Sequence, residues 1–531
     1  MSNAVLTRLP DAAELQGMDA QQVVQLLRSQ AAQIEALRAQ LEWFKRQLFG
    51  QKSERYAPQP DGLQMHLGEW MPVVAPPSDP QQEVPAHKRG KQRSDFAEDS
   101  AGVPFFDEAR VPVVSIEVPN PAAQGLKPEQ YEVVGQKVSH RLAQRPGAYV
   151  VLKYVRPVIK LREQQTLHCA PAPVGVIEGS RADVSFIAGV MVDKFAWHLP
   201  LYRQHQRLID AGFNLSRPWL TQLVQQGAQL LEPVFDAQLE SIRSSRVKAM
   251  DETPIKAGHV KASGAGRGKL KAGYFWPVYG ERDEVCFPYF DSREHACVRE
   301  LLGDTPQDGS VLLSDGYAAY SRYAQALGVT HAQCWSHMRR GFFDALDAQP
   351  QAADQALKMI GRVYEVEAEI RKRRMGGENK RLHRLTYAKP LVETFFDWVD
   401  EQLARQGLLP SNALTKALVY ARERKAQLMV FLGDEEVPMD TNHLERALRP
   451  IPMGRKSWLF CWTEVGAKYV GIVQSLIVTC RLHGIEPYTY FVDVLQRVGQ
   501  HPAARVADLT PRLWKQHFAE QPLRSDLHGK A

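Results

Sequence analysis

Paired cysteines are missing from this chain. Its six cysteines, Cys169, Cys286, Cys297, Cys334, Cys461 and Cys480, are scattered, and no two have C-x-x-C spacing. That indicates neither a zinc knuckle of paired thiolates nor a disulfide framework, and it fits a reducing cytoplasm. Long apolar runs are also scarce. Stretches such as Ala148 to Leu152 and Phe186 to Val192 are far shorter than a membrane span. No basic-then-apolar leader opens the sequence, so the expectation is a cytoplasmic protein with no membrane partner. A phosphate-binding Walker loop is absent too. Ser263 to Lys269 is basic and glycine-rich, but its spacing is wrong and no strand–loop–helix surrounds it; it reads as a hairpin connection or a flexible DNA contact. Strong charge of one sign is lacking as well. The net charge is +6, so local basic clusters matter more than the sum.

What is present is ordinary globular material in quantity. The 531 residues are 24% charged and 44% hydrophobic, enough for about three or four domains. Residues 20–50 carry Leu27, Ile34, Leu41 and Leu48 at strict sevens, with Val23, Leu37 and Phe44 at most of the other core positions and Gln30 in the gap. That is an a/d seam. It predicts a self-associating coiled coil, or else one surface helix packed on its own domain. Residues 51–93 are a linker rich in Pro, Gln and Asp that ends in a basic run with Lys88, Arg89, Lys91 and Arg93. The run is either a phosphate contact, which makes binding salt-dependent, or a solvated charge cluster. Residues 94–181 alternate in the manner of strands and predict a small β-rich meander. Residues 182–245 predict helices: one over Leu199 to Ile209, a turn at Ala211 to Asn214, and a second capped by Ser216. Two short helices about a glycine-containing turn form a helix-turn-helix pattern, although generic helix pairs look the same. In the first case the second helix enters the major groove, and Arg203 of the first helix and Arg217 at the start of the second are the candidate DNA contacts.

The most informative stretch begins at Val247. One strand-like run leads into Asp251-Glu252-Thr253, and another, Ser310 to Leu313, leads into Ser314-Asp315-Gly316-Tyr317. A carboxylate at a strand end sits on rigid backbone with its head in solvent. Two such ends side by side suit a hard divalent cation, and Glu445 can complete a two-metal site for phosphodiester chemistry. The plain alternatives are a turn at Asp315-Gly316 and a capping box from Asn442 to Glu445. The order of elements predicts strand one over Lys248 to Ile255, strand two over Gly273 to Tyr279 and strand three over Val285 to Phe290. A helix, strand four ending at Asp315, and strand five over Thr330 to Cys334 follow. This matches a ribonuclease-H-like core in 246–340, resumed in 436–480. Between them, 341–435 reads as an all-helical insertion with an exposed basic elbow running from Arg371 through Lys380 and Arg381 to Arg384. Residues 481–531 form a C-terminal domain. The fold class is thus multidomain α/β.

Several motifs agree in order: Met250-Asp251-Glu252-Thr253, Leu313 to Tyr320, Gln333-Cys334-Trp335-Ser336-His337-Met338-Arg339-Arg340, Asn442 to Pro450 and Gly454 to Phe460. With Leu48 to Glu54 and Gly484 to Tyr488, they resemble the large transposase subunit of the bacterial insertion sequence family number sixty-six, over most of residues 23 to 515. That family is of the DDE type. The resemblance implies a DNA transposase with the triad Asp251, Asp315 and Glu445 binding Mg²⁺ or Mn²⁺, two ions per site. It would nick transposon ends and join the 3′ ends to target DNA. It further implies double-stranded DNA partners (terminal inverted repeats and target), two small accessory proteins of the same element, and a nucleoid-associated location when DNA is bound. Arg339, Arg340, Arg446, Arg449, Arg455 and Lys456 are the candidate phosphate contacts near the site, with His337 and Asn442 as supporting groups. Cys334 and His337 have the spacing of half a zinc site, but no second pair lies nearby; the other reading places them at a strand–helix junction beside the carboxylates. The chain departs from the family in one respect. Its β-rich module has only Cys169 where paired zinc-binding cysteines are expected, so no structural zinc is predicted. Two rival functions stay open: a DNA-binding regulator or inactive relative, and a metal-dependent nuclease that hydrolyses without joining.

Overall fold

A computed structural model describes residues 105–528, apart from 110, 146, 147, 164, 261–268, 406–408, 459, 460 and 462. The expected coiled coil, the linker and the basic run with Lys88, Arg89, Lys91 and Arg93 lie outside the described residues.

The first sheet contains β1 (Val113–Glu117), β2 (Tyr131–Arg145), β3 (Ala148–Leu161) and β4 (Leu167–Cys169). β2 and β3 pair as a long antiparallel hairpin, with a register shift between Val133 and Gly135. The sheet is not the simple meander expected, because β1 joins β3 in parallel. Ala143, Val150, Leu152 and Tyr154 form a small core that Leu527 closes from the far end of the chain. The Tyr154 hydroxyl fixes that contact by donating to Asp526 Oδ2 at 2.8 Å.

Three helices follow: α1 (Val184–Phe195), α2 (Leu201–Asp210) and α3 (Arg217–Arg243). α1 starts where Asp183 Oδ1 accepts from the Ser185 amide at 2.9 Å, a direct N-cap. Two expectations need correction. Ser216 occupies the N-cap position of α3, but its side chain makes no capping bond. And α3 is not short: it has 27 residues. Leu223, Val224, Ala228, Leu231, Val234 and Phe235 are all buried along it, so most of its length packs into the fold. Burial on this scale overrides the helix-breaking tendency of Pro233.

The central part contains β5 (Val247–Met250), β6 (Thr253–Val260), β7 (Lys269–Phe275), β8 (Val278–Gly280), β9 (Glu284–Cys286), β10 (Tyr289–Phe290), α4 (His295–Leu302), β11 (Val311–Ser314), α5 (Ala318–Leu327), β12 (Thr330–Gln333) and α6 (Trp335–Asp344). Five of these strands form one sheet in the order β12-β11-β5-β8-β9. β12, β11 and β5 are parallel, while β8 and β9 run antiparallel. β5 and β11 are buried along their whole length, as parallel strands covered on both faces must be. β6, β7 and β10 make a separate three-stranded sheet. Expected strands one, two and three are therefore each split between two sheets, the third because β9 and β10 fall in different ones. Asp251-Glu252 leaves the ladder after β5, and Trp276-Pro277 separates β7 from β8. Pro277 has no N–H to offer a ladder, so the run breaks there.

Helices then dominate: α7 (Pro350–Lys372), α8 (Gly377–His383), a π turn over Arg384–Ala388, α9 (Lys389–Ala404), α10 (Ala413–Glu423), α11 (Lys425–Gly433), α12 (Asn442–Leu448), α13 (Pro450–Trp458), α14 (Glu464–Leu482), α15 (Pro487–Arg497) and α16 (Pro511–His517). Arg384 is not part of an exposed basic elbow. It is 1% exposed and pairs with Glu367. α14 is long and apolar enough to cross a bilayer, but most of it is buried in the fold. It lies against edge strand β9, where Thr479 Oγ1 accepts from the Val285 amide at 3.2 Å and Ser475 Oγ accepts from the Phe287 amide at 2.9 Å. Helix hydroxyls thus occupy donors that an edge strand would otherwise leave unpaired. Gly471 permits this approach, since a Cβ there would sit 2.2 Å from the Phe287 carbonyl oxygen.

Candidate active site at the strand ends

β5 and β11 are in register, with Ala249 opposite Leu313. One step beyond the last strand residues, Asp251 and Asp315 leave the same edge of the sheet on neighbouring parallel strands. Each is fixed by a backbone amide. Glu252 N donates to Asp251 Oδ1 at 2.8 Å, and Tyr317 N donates to Asp315 Oδ1 at 2.9 Å. Burial pushes the Asp251 carboxyl up to about 6, and the neighbouring Glu252 and Asp315 carboxylates add to the shift. An acid held in this state gains from a nearby cation.

Gly316 was legible as a turn residue, but its role here is space. Its φ is not in the left-handed region, whereas a Cβ would lie 2.8 Å from the Tyr420 hydroxyl and 3.2 Å from Arg424 Nε. α10 thereby packs onto the backbone beside Asp315, and the Arg424 guanidinium stands 4.0 Å from the Tyr420 ring centre.

Glu252, Arg293, Tyr317 and Tyr320 form a second layer that carried no assigned role in the sequence. The Glu252 side chain is 4% exposed and accepts from Arg293 Nε at 2.9 Å and from the Tyr320 hydroxyl. Tyr320 is fully buried, which raises its phenol well above the usual range, and the Glu252 carboxylate adds to this. The Tyr317 hydroxyl donates to the Arg293 carbonyl at 2.6 Å. The available signal was the i, i+3 spacing of Tyr317 and Tyr320 just after the aspartate; nothing in the sequence marked Arg293.

Cys334 follows β12, and its amide donates to the Ser314 carbonyl at 3.0 Å. Its sulfur receives Thr441 N at 3.2 Å and Thr441 Oγ1 at 3.1 Å. Burial works against the Cys334 thiolate, but His337, Ser336 and Thr441 together hold its pKa below the ordinary value. His337 is raised to about 9 by Cys334, with Asp315 and Asp251 adding. The pair therefore stands at the strand–helix junction beside the aspartates.

Thr441 also leads to the third carboxylate. Its carbonyl accepts from the Glu445 amide at 2.9 Å, and His443 packs edge-on against Tyr279 of β8, ring centres 4.7 Å apart. The capping-box alternative does not form: Thr441 holds the N-cap position, and Asn442 bonds Asp440 through its amide and its side chain, at 3.1 and 2.6 Å. Asn442 thus shapes the start of α12. Glu445 Oε1 is buried with no hydrogen-bond partner among the described residues. Raised and orphaned carboxylate oxygens of this kind suit a hard cation. Yet among the described residues no three His, Cys, Asp or Glu side chains are gathered closely enough to hold a metal ion. Asp251 and Asp315 stand on neighbouring strands, and with Glu445 they do not form a closed ligand set among the described residues. The same holds in the β-rich module, where His168 and Cys169 are consecutive on β4 and His140 packs against Phe105 and Phe106.

Of the candidate phosphate contacts, Arg203, Arg217, Arg339, Arg340, Arg446, Arg449 and Lys456 are exposed. Arg455 is half-buried and donates to the Pro254 carbonyl, and Arg446 Nε donates to the Asn442 carbonyl at 3.2 Å.

The pattern of the Transposase IS66 family matches residues 179–469, more than half of the chain and both aspartates and Glu445 with it. The chain belongs to that family. The IS66 C-terminal element matches residues 475–512, and a pattern described as Transposase C of IS166 homeodomain matches 36–99. Membership in the IS66 family gives the chain a general role in DNA transposition. Among curated proteins it is similar to two uncharacterized proteins of Sinorhizobium fredii. One, y4hP, is 28% identical over 92% of this chain and 90% of its own length; the other, y4jD, is 27% identical over 90% and 94%. Among solved structures, the Drosophila P element transposase strand transfer complex is matched at 13% identity and a TM-score of 0.19, over 63% of this chain and 85% of that one.

Proposed function

We propose that this IS66-family chain is a DDE transposase that nicks transposon ends and joins the 3′ ends to target DNA at Asp251, Asp315 and Glu445. The observation that carries the reading is the pair of strand-end aspartates on adjacent parallel strands. The sheet order, three antiparallel strands followed by two parallel ones, supports a ribonuclease-H-like core. Asp251, Asp315 and the orphaned Glu445 oxygen would hold Mg²⁺ or Mn²⁺. Such ions supply charge stabilisation to the attacking and departing oxygens. Glu445 then needs to close toward the aspartates when DNA phosphate is present, since Mg²⁺ sites are commonly completed by substrate. His337, protonated at neutral pH beside Cys334, presents positive charge to a phosphate. Arg339 and Arg340 on α6, Arg446 on α12, Arg449 at its C-cap, and Arg455 and Lys456 on α13 position the strand without reading its sequence. Arg203 and Arg217 extend that contact at the α2–α3 turn.

The deciding experiment incubates the purified chain with end DNA and target DNA, with Mg²⁺ or with chelator. Nicked ends and joined products in Mg²⁺ alone are expected. Nicks without any joined product would favour the nuclease reading, and DNA binding without nicks the regulatory one. Self-association is assigned to residues 20–50, so removing residues 1–49 should lower the mass seen by light scattering; an unchanged mass would return that segment to intramolecular packing. The β-rich module is proposed to stand without zinc, and the two accessory proteins of the element are proposed partners.

A further inference from the structure

Beside the aspartates lies a cavity of about 480 Å³ lined by Arg293, Glu294, His295, Tyr317, Ala318, Ala319 and Arg322. Its size is within the range of small-ligand sites. Its walls are tied to both aspartates. Tyr317 gives its amide to Asp315 and its hydroxyl to the Arg293 carbonyl. Arg293 in turn bonds Glu252, the neighbour of Asp251, and its guanidinium lies 4.3 Å from the Tyr317 ring centre. Positions 318, 319 and 322 share one face of α5, where two alanines leave room and Arg322 supplies charge. Arg322 has no hydrogen-bond or ion-pair partner among the described residues. Arg293 spends Nε and one terminal nitrogen on Glu252, which leaves its other terminal nitrogen free. Against these two arginines and His295 stands one carboxylate of the lining, Glu294, which is exposed.

We propose that this cavity binds a single backbone phosphodiester of the DNA strand that passes over Asp251 and Asp315, with Arg322 as its principal ligand and Arg293 as the second. The proposal rests on the reading of those aspartates as the reaction centre. Its content is separate: a defined phosphate subsite on the Asp315 side that fixes strand register. Arg293 is held rigid by Glu252 and the tyrosine ring, so it is pre-organised. Arg322 is free to close on the phosphate.

The test replaces each phosphate near the cleavage point of an end-bearing duplex, in turn, with a neutral methylphosphonate and measures binding. For the wild type, one position is expected to cost about tenfold in affinity, the scale of a hydrogen bond to a charged group. Arg322→Ala should show no further loss at that position, and its salt dependence should be shallower by about one unit of slope. Ala318→Leu, which fills the cavity without changing charge, should lose the same positional sensitivity. If both variants keep the wild-type map and slope, the subsite is wrong. A flat map with Asp251-dependent cleavage intact would sink the subsite alone. Cleavage that persists in Asp251→Ala would sink the catalytic reading and leave the phosphate map standing.

Discussion

Asp251→Ala, Asp315→Ala and Glu445→Ala should each reduce cleavage of end DNA by about a thousandfold or more, equivalent to roughly 4 kcal/mol of transition-state stabilisation, while end binding stays near the wild-type level. The two aspartates are held by amides on neighbouring strands, and Glu445 has an oxygen with nothing to bond. The variants must be shown to be folded, and the Asp251 position offers an internal check. Its carboxyl has a folded pKa of about 6, raised chiefly by burial. A raised acid binds its proton more tightly in the folded state, so stability falls as pH rises from about 4 to about 6 and stays lowered above that. Asp251→Asn removes that cost at neutral pH. Metal-free Asp251→Asn should therefore melt at or above the wild-type temperature although its cleavage is gone. A lower melting temperature would mean that the carboxylate has a structural role. Wild-type cleavage by Glu445→Ala, with loss in Glu435→Ala or Glu436→Ala, would move the third ligand.

The strand-end aspartates were readable because two local signals coincided: short apolar runs and a carboxylate at the end of each. The third carboxylate had no such local support. Its placement depends on Thr441 meeting Cys334, a contact between residues 107 positions apart, and periodicity carries no information on that. Strand limits failed for a related reason. Gly273 to Tyr279 reads as one alternating run, yet Trp276-Pro277 hands it from one sheet to another. The proline was visible; the existence of two sheets was not. Gly316 shows a subtler loss. The residue looked like a turn, and only the approach of Tyr420 from a helix about a hundred positions away reveals that space decides it. Helix α3 was expected to be short from the helix-turn-helix pattern, whereas burial along its 27 residues holds it continuous through Pro233.

Arg384 is where the largest loss of stability is expected. The insertion was read as helical with a solvated basic elbow, and a run of arginines and lysines gives no hint that one of them turns inward. The π turn that begins at Arg384 points its guanidinium into the core. Nε and one terminal nitrogen grip both oxygens of Glu367 at 2.7 and 2.9 Å. The other terminal nitrogen reaches the carbonyls of Phe431, Asp434 and Val437 at 2.7, 3.0 and 3.0 Å. Arg246, just before β5, secures the same segment, pairing with both Asp434 oxygens at 2.7 and 2.9 Å. The stretch that leads to α12 and Glu445 is thus bolted from both sides. Arg384→Ala leaves the buried Glu367 carboxylate without this partner, and the Phe431 and Val437 carbonyls lose it as well, while the Asp434 carbonyl keeps the Val437 amide at 3.3 Å. Breaking a buried pair in this way costs about 3–5 kcal/mol. Arg384→Met with Glu367→Leu removes both charges and should recover part of that loss, but not the share owed to the carbonyls. Denaturant unfolding of the three proteins checks the order, and a loss under about 1 kcal/mol in the single variant would show the pair to be dispensable. At a temperature where Arg384→Ala remains folded, its cleavage rate should still fall while end binding holds, because the segment that carries Glu445 is loosened. An unchanged rate would confine Arg384 to the stability of the insertion.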